Sequence, residues 1–404
     1  MKKRSFRWYF LLPPVLLAAI FIWAVLGQSG KRPVRLQAYE ASAAQTEAEE
    51  PEGQRTEQQR TEQQRSELQR TEAAKEDTGA VEAQSEETQA QSSVTLLFAG
   101  DIYLSDHVLA AYDRAGGVAG VLDEGLRRTI EEADLFIANE EFPFSDRGTA
   151  AADKQFTFRL PPSRIGVLRE LGPDLVALAN NHVLDYGQEA LEDTCQLLDQ
   201  AGILRVGAGM NLEEAKRAEL LEQNGMRIGF LAASRVMPEA GWAAGAAHGG
   251  VFPTYDPGPL LEEIRKNREL CDYLVVYVHW GIERKTEPEA YQRELARQYL
   301  DAGADLVVGS HPHVLQGIEY YKGKPILYSL GNFVFGSSIP ETMAVQVVLS
   351  PEEGQPKLTL IPATSSAGYT RALPAEKREA FYQKLEGLST GITVNSAGEV
   401  LLEP

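Results

Sequence analysis

At 404 residues, with 58 Asp and Glu against 39 Lys and Arg, the chain carries a formal net charge of −19. That balance excludes a general grip on nucleic acid, which needs a basic face, and means that a polyanionic substrate must be held by a local patch or a metal. Two cysteines are too few for a disulfide framework. Cys195 falls in an expected helix and Cys271 just before an expected buried strand, so both read as small core residues.

Lys2, Lys3, Arg4 and Arg7 precede an apolar run, Trp8 to Gly27, of the roughly 20 residues that a bilayer-spanning helix needs. Basic residues ahead of the run favour an N-terminus on the cytoplasmic side. A cleaved signal peptide has an apolar core of only ~7–15 residues, and the first small-residue cleavage pattern, Ala41-Ser42-Ala43, lies well downstream. The expectation is a single-pass signal anchor in the cell membrane: residues 1–7 a cytoplasmic tail, 8–27 the span, and the globular part extracellular. Residues 28–93 read as an extracellular stalk. They include the five-residue repeats RTEQQ, RTEQQ, RSELQ and RTEAA, a period that matches neither a helix face nor a strand face.

At Val94 the composition changes, and residues 94–404 read as one domain. Short apolar runs at 94–99, 135–138, 175–179, 203–206, 227–232, 273–278, 306–308 and 326–329 predict strands. Helical patterns at 121–132, 188–201, 259–267 and 289–302 lie between them. The alternation predicts α/β architecture. Runs at 343–349 and 358–361 suggest antiparallel strands, followed by a helix at 375–385 and a weak hairpin near 395–398.

Candidate ligands stand at the strand ends. Asp101 follows Gly100, read as allowing a sharp turn. Asn139, Glu140 and Glu141 follow the second run, and Asn180, Asn181, His182 and Asp185 the third. His279, Trp280 and Glu283 follow a later one. His311 and His313, one residue apart at the end of another apolar run, point the same way if the strand continues through them. A lone aspartate there is usually a helix cap and Asn-Asn often only a turn. Together they form a mixed nitrogen and oxygen donor set that suits Mn, Fe or Zn better than Ca or Mg. His182 beside Asn181 could protonate a leaving group. His107 and His248 read as surface residues, and the glycines around His248 with Trp242 as a mobile loop that could act as a lid.

These motifs resemble the CapA family of capsule or poly-γ-glutamate synthesis proteins, which belongs with the calcineurin-like metallophosphoesterases. The resembling stretches are FAGDIYL at 98–104, ANEEFPFS at 138–145, ALANNHVLDYG at 177–187, VHWGIE at 278–283, GSHPHVLQGIE at 309–319 and YSLGNFVFG at 328–336. The resemblance implies a four-layer αββα two-sheet sandwich. It implies Asp101, Glu141, Asn181, His279, His311 and His313 as ligands to one or two divalent ions, His182 as acid, and Asn332 lining the site. Glu141 matches the family's Asn-Leu-Glu better than Glu140. Tyr103 stands where the superfamily's Asp-x-His has its histidine, so one metal position is less well furnished. As partners it implies membrane subunits of a capsule or poly-γ-glutamate synthase and a cell-envelope polymer. The rival readings are a phosphodiesterase acting on envelope phosphoesters and a non-catalytic extracellular scaffold.

Overall fold

The computed structural model describes residues 93–352 and 354–403. The expected tail, membrane span and stalk lie outside them. The described chain opens with β1 (Val94–Ile102), α1 (Asp106–Ala115), α2 (Glu124–Glu132), β2 (Leu135–Glu140), α3 (Ile165–Leu171) and β3 (Leu175–Ala177). Then come α4 (Gln188–Ala201), β4 (Leu204–Val206), β5 (Ala208–Gly209), α5 (Leu212–Ala215), β6 (Glu219–Gln223) and β7 (Met226–Ser234). They are followed by β8 (Gly250–Val251), α6 (Gly258–Arg268), β9 (Tyr273–His279), α7 (Ala290–Ala302) and β10 (Leu306–Ser310). The rest is mostly strand: β11 (Ile318–Tyr321), β12 (Lys324–Leu327), β13 (Asn332–Val334), β14 (Ser338–Leu349), β15 (Lys357–Ser366) and β16 (Tyr369–Ala372). Helix α8 (Ala375–Leu388) and the hairpin β17 (Ile392–Val394) and β18 (Val400–Leu402) close it.

Two mixed sheets result. The first runs β16-β15-β14-β1-β2-β3-β4, with β13 also pairing β1, and the second runs β11-β12-β10-β9-β7-β6. Strand alternation gives each sheet two buried faces. Leu96, Phe98 and Ile137 of the first sheet share a core with Phe230, Val275 and Val308 of the second. On the outer side of the first sheet, Leu97, Phe136 and Val176 pack with Leu126, Leu168 and Leu191 from α2, α3 and α4. On the outer side of the second, Val276 and Leu274 pack with Leu260 and Ile264 of α6 and Leu295 and Tyr299 of α7. The layers are therefore helix, sheet, sheet, helix. The central strands β1, β2, β9 and β10 are buried on both faces, which is why their runs read as continuous rather than alternating.

Three local readings change. Gly100 does not turn the chain; it lies inside β1, where a Cβ would sit 1.7 Å from the Gly331 carbonyl oxygen. The close approach of the β13 connection, not a bend, requires glycine. Second, α1, α3 and the edge strands β6, β11 and β16 emerge from stretches that gave no clear periodicity. Third, β10 ends at Ser310, so the two histidines do not continue the strand. His311 (φ 96°) and His313 (φ 58°) lie in a turn with left-handed backbone.

Candidate metal centre

Register brings the candidate residues to one end of both sheets. Asp101 pairs with Asn139 on one side and Asn332 on the other. Across the core, Ser234, His279 and Ser310 align on β7, β9 and β10. The Tyr277 hydroxyl donates to the Ala99 carbonyl at 2.8 Å and ties the sheets together beneath the site. The β1–β2 register slips between Phe98 and Asp101, the kind of irregularity that re-aims a side chain. Alternation along β2 and just past it places Asn139 and Glu141 on the inner side and Glu140 on the outer.

Glu141 is the hub. One group of possible donor atoms comprises Glu141, His279 and His311, another Asp101, Glu141 and His313, with the atoms of each within 4.8 Å of one another. Glu141 Oε1 lies 3.5 Å from His279 Nε2, and Glu141 Oε2 3.8 Å from His313 Nδ1. His313 Nδ1 is also 3.1 Å from Asp101 Oδ2 and 2.8 Å from Asn332 Oδ1. Asn181 Oδ1 lies 2.8 Å from His279 Nε2, joining the first group. The Ser310 hydroxyl is 2.9 Å from His279 Nδ1 and fixes the ring from behind.

The site fits a divalent cation. Both Glu141 carboxylate oxygens and His311 Nδ1 are buried with no hydrogen-bond partner, a costly state that a cation would relieve. Burial holds His279 well below the usual histidine range. Burial and neighbouring His313 push His311 down to about 3, which leaves it in the neutral form that a ligand needs. Burial and the Asp101 charge push Glu141 well above the usual carboxylate range. Burial would lower His313 too, but the Glu141 and Asp101 carboxylates outweigh it and raise the ring to about 10. Both shifts arise within the one cluster, burial and the like charge of Asp101 acting on Glu141, and the two carboxylates acting on the His313 ring. The donors, two carboxylates, three imidazoles and an amide, suit Mn, Fe or Zn.

Beside this cluster lies a second constellation. His182 Nδ1 is 2.7 Å from Asp185 Oδ2, both buried. Burial lowers the His182 pKa, with Asp185 opposing. Asn180 braces the loop: its amide donates to Asn139 Oδ1 (3.1 Å) and the Glu140 carbonyl (2.7 Å), and its Oδ1 accepts from the backbone of His182 and Val183. Asn139 in turn donates to Asp101 Oδ1 at 2.8 Å. Asn139 and Asn180 are thus supports behind the candidate ligands.

Lys154 and Phe158 escaped the sequence reading. The Lys154 ammonium bonds Asp185 Oδ1 and the Asn181 carbonyl, and lies 5.1 Å over the Trp242 ring. Trp242 is buried, so the loop read as a lid packs directly on this lysine. Phe158 stacks on His182 with centroids 4.0 Å apart, and Tyr103 stacks on its other face at 4.0 Å. Tyr103, in the position of the missing histidine, therefore buttresses the His182 side. A lysine and a phenylalanine in a polar loop carry no local pattern that would single them out.

Three expected lining residues do not line the cluster. Trp280 faces the outer core, where its Nε1 donates to the Tyr328 carbonyl at 3.0 Å, because alternation turns the residue after His279 away. Glu140 faces the helical side; its carboxyl contributes to the field at Cys195 of α4, and both oxygens are buried without partners. Glu283 is exposed and reaches Glu141 and Lys154 only through its charge. His107 and His248 are exposed.

Two mixed sheets and a buried cluster suited to a divalent cation define the class, an α/β protein with a candidate metal centre. The family model described as bacterial capsule synthesis protein PGA_cap matches residues 95–337, and the chain belongs to that family. It is 34% identical over 251 residues to the PGA biosynthesis protein CapA of Bacillus subtilis (strain 168), covering 62% of this chain and 65% of that protein. It is 30% identical over 310 residues to the capsule biosynthesis protein CapA of Bacillus anthracis, covering 74% of each. The chain thus spans just under two thirds of the first relative and about three quarters of the second. A solved structure described as a novel phosphatase from Mycoplasma pneumoniae is 15% identical, with a TM-score of 0.44, covering 68% of this chain and 95% of that one.

Proposed function

We propose that this chain is a membrane-anchored, extracellular component of capsule or poly-γ-glutamate synthesis and export, and that its globular domain is a metal-dependent hydrolase of metallophosphoesterase type. Family membership and the CapA relatives support the pathway; the apolar run at 8–27 supports the anchor. Membrane subunits of the synthase and the polymer itself are the partners that this reading names.

The enzymatic half rests on one observation, that Glu141 belongs to both ligand groups. Bound there, divalent ions would act as Lewis acids on a carbonyl or phosphoryl oxygen. Asp101 and His313 would hold one position, and Asn181, His279 and His311 the other, with Glu141 common to both. With Asp185 engaging Nδ1, the other ring nitrogen of His182 would take up the proton that an attacking water releases and pass it to a leaving group. Lys154 and Phe158 keep that ring in place.

A carboxylate shared by two positions also suits in-line displacement at phosphorus, which favours envelope phosphodiesters as a second reading. The test is metal content of the purified full chain, by mass spectrometry, beside a His311→Ala/His313→Ala variant. Turnover of a γ-glutamyl oligomer and of bis(p-nitrophenyl) phosphate would be measured alongside. Two equivalents of Mn, Fe or Zn, lost in the variant, would support the site, and the preferred substrate would choose between readings. No metal after reconstitution would defeat the enzymatic half and leave a scaffold.

A further inference from the structure

In a chain with net charge −19, an arginine beside the candidate centre without an acidic partner calls for a role. Arg235 immediately follows β7, and its backbone N–H donates to the carbonyl of His279 at 2.9 Å. Its Nη1 donates to the carbonyls of Thr254 (3.3 Å) and Tyr255 (3.0 Å). The guanidinium carbon lies 4.6 Å from the centroid of Tyr291 and 5.1 Å from that of Tyr255. Two carbonyls and two rings therefore fix the head group, at little further entropic cost on binding. Among the described residues no carboxylate pairs with it, and its other N–H groups have no protein acceptor and are not buried.

The surroundings tie this arginine to the histidine turn. The Tyr291 hydroxyl accepts from the Gly281 N–H at 2.8 Å. Gly281 packs so closely on Pro312, between His311 and His313, that a Cβ there would lie 3.0 Å from the proline ring. Arg284, also without a carboxylate partner among the described residues, donates its backbone N–H to the Pro312 carbonyl at 2.7 Å. Tyr255 is 52% exposed, so the guanidinium is reached from solvent past an aromatic edge. Neither arginine belongs to the ligand cluster. Their placement answers the problem set by the acidic composition: an anionic substrate needs a local cationic foothold.

We propose that Arg235, braced by Tyr255 and Tyr291, is a subsite for a carboxylate of the substrate, bound beside the histidine turn and not by the metal ligands. It rests on the hydrolase reading above for its substrate, the free carboxylates of a γ-linked glutamyl chain. The planar guanidinium edge matches a carboxylate in bidentate fashion.

The experiment uses the full chain loaded with Mn, as wild type, Arg235→Ala and Arg235→Lys, with metal content measured for each. Binding of a γ-linked glutamate decamer and of its fully methyl-esterified form is followed by calorimetry. Wild type should bind the acid about tenfold or more tightly than the ester, as loss of a charged hydrogen-bonded pair predicts. Arg235→Ala should erase that preference with metal content unchanged, and Arg235→Lys should restore only part of it, since an ammonium lacks the fork. The proposal is overturned if Arg235→Ala binds the acid as wild type does, or weakens on acid and ester equally. It is also overturned if wild type prefers a glycerol-phosphate oligomer through Arg235 and ignores the glutamate decamer. Binding is read without turnover, so an inactive but metal-loaded protein would defeat the hydrolase reading alone.

Discussion

His182 Nδ1 lies 2.7 Å from Asp185 Oδ2, while the other oxygen of that carboxylate takes the Lys154 ammonium. Lys154 Nζ is also 3.0 Å from His182 Nδ1, yet a lysine only donates, so Nδ1 cannot both give its proton to Asp185 and accept from Lys154. The shorter contact leads us to assign the proton to Nδ1. Asp185 thereby neutralises a lysine whose side chain is only 13% exposed. Removing one partner of such a pair leaves an uncompensated charge, at about 3–5 kcal/mol. Asp185→Ala should lose that much stability in urea denaturation. The Lys154→Met/Asp185→Ala double variant should lose clearly less than the two single losses added, because it buries no lone charge. Simple additivity would show that the pair is not coupled.

Glu141 and Glu140 are neighbours with opposite environments, and substitution should separate them. Glu141→Gln removes the charge common to both ligand groups and should abolish or halve the metal content. Glu140→Gln should leave metal content at the wild-type level. The Glu140 carboxyl belongs to neither ligand group, and burial alone raises its pKa. Metal lost from Glu140→Gln and kept in Glu141→Gln would reverse the assignment.

Much of this site was legible because each ligand candidate follows a buried apolar run, and the runs are long enough to locate the carboxyl ends of the strands. The preference for Glu141 over Glu140 came from the resemblance alone; that 139 and 141 face inward follows only once Ile137 is seen to face the shared core. What could not be read were contacts made by side chains distant in sequence. Lys154 reaches residues 27 to 31 positions away. Tyr103 and Phe158 become partners only when the loop folds over β1. The histidine spacing suggested strand alternation, whereas the chain brings both rings inward by a left-handed turn, a conformation that no residue pattern there announces.

Both cysteines should be silent in the native protein. Burial pushes the Cys195 thiol up to about 12, and burial also raises Cys271. The thiolate is the reactive form, so at pH 8 only on the order of one Cys195 in 10⁴ is ionised in the fold. Titration with a chromogenic disulfide at pH 8 should report no fast thiol in native protein and two after unfolding in guanidinium. A fast native reaction would contradict the core placement of these residues.

The histidine turn should carry a measurable strain. His311 has φ 96° and His313 φ 58°, and a non-glycine residue held in such a region costs of order 1–3 kcal/mol. Strain of this kind persists only where surrounding structure imposes it, here the Ser310 end of β10 and the Pro312 contacts with Gly281 and Arg284. His311→Ala and His311→Gly remove the same imidazole, so each should lose metal to the same degree. They differ in backbone: alanine retains the left-handed cost, whereas glycine removes it and loses roughly 0.5–1 kcal/mol through its more disordered unfolded chain. Metal-free His311→Gly should therefore be more stable than metal-free His311→Ala by about 1 kcal/mol in chemical denaturation. Were alanine the more stable of the two, the turn would not be strained, and the histidines would be held in place by their side-chain contacts alone.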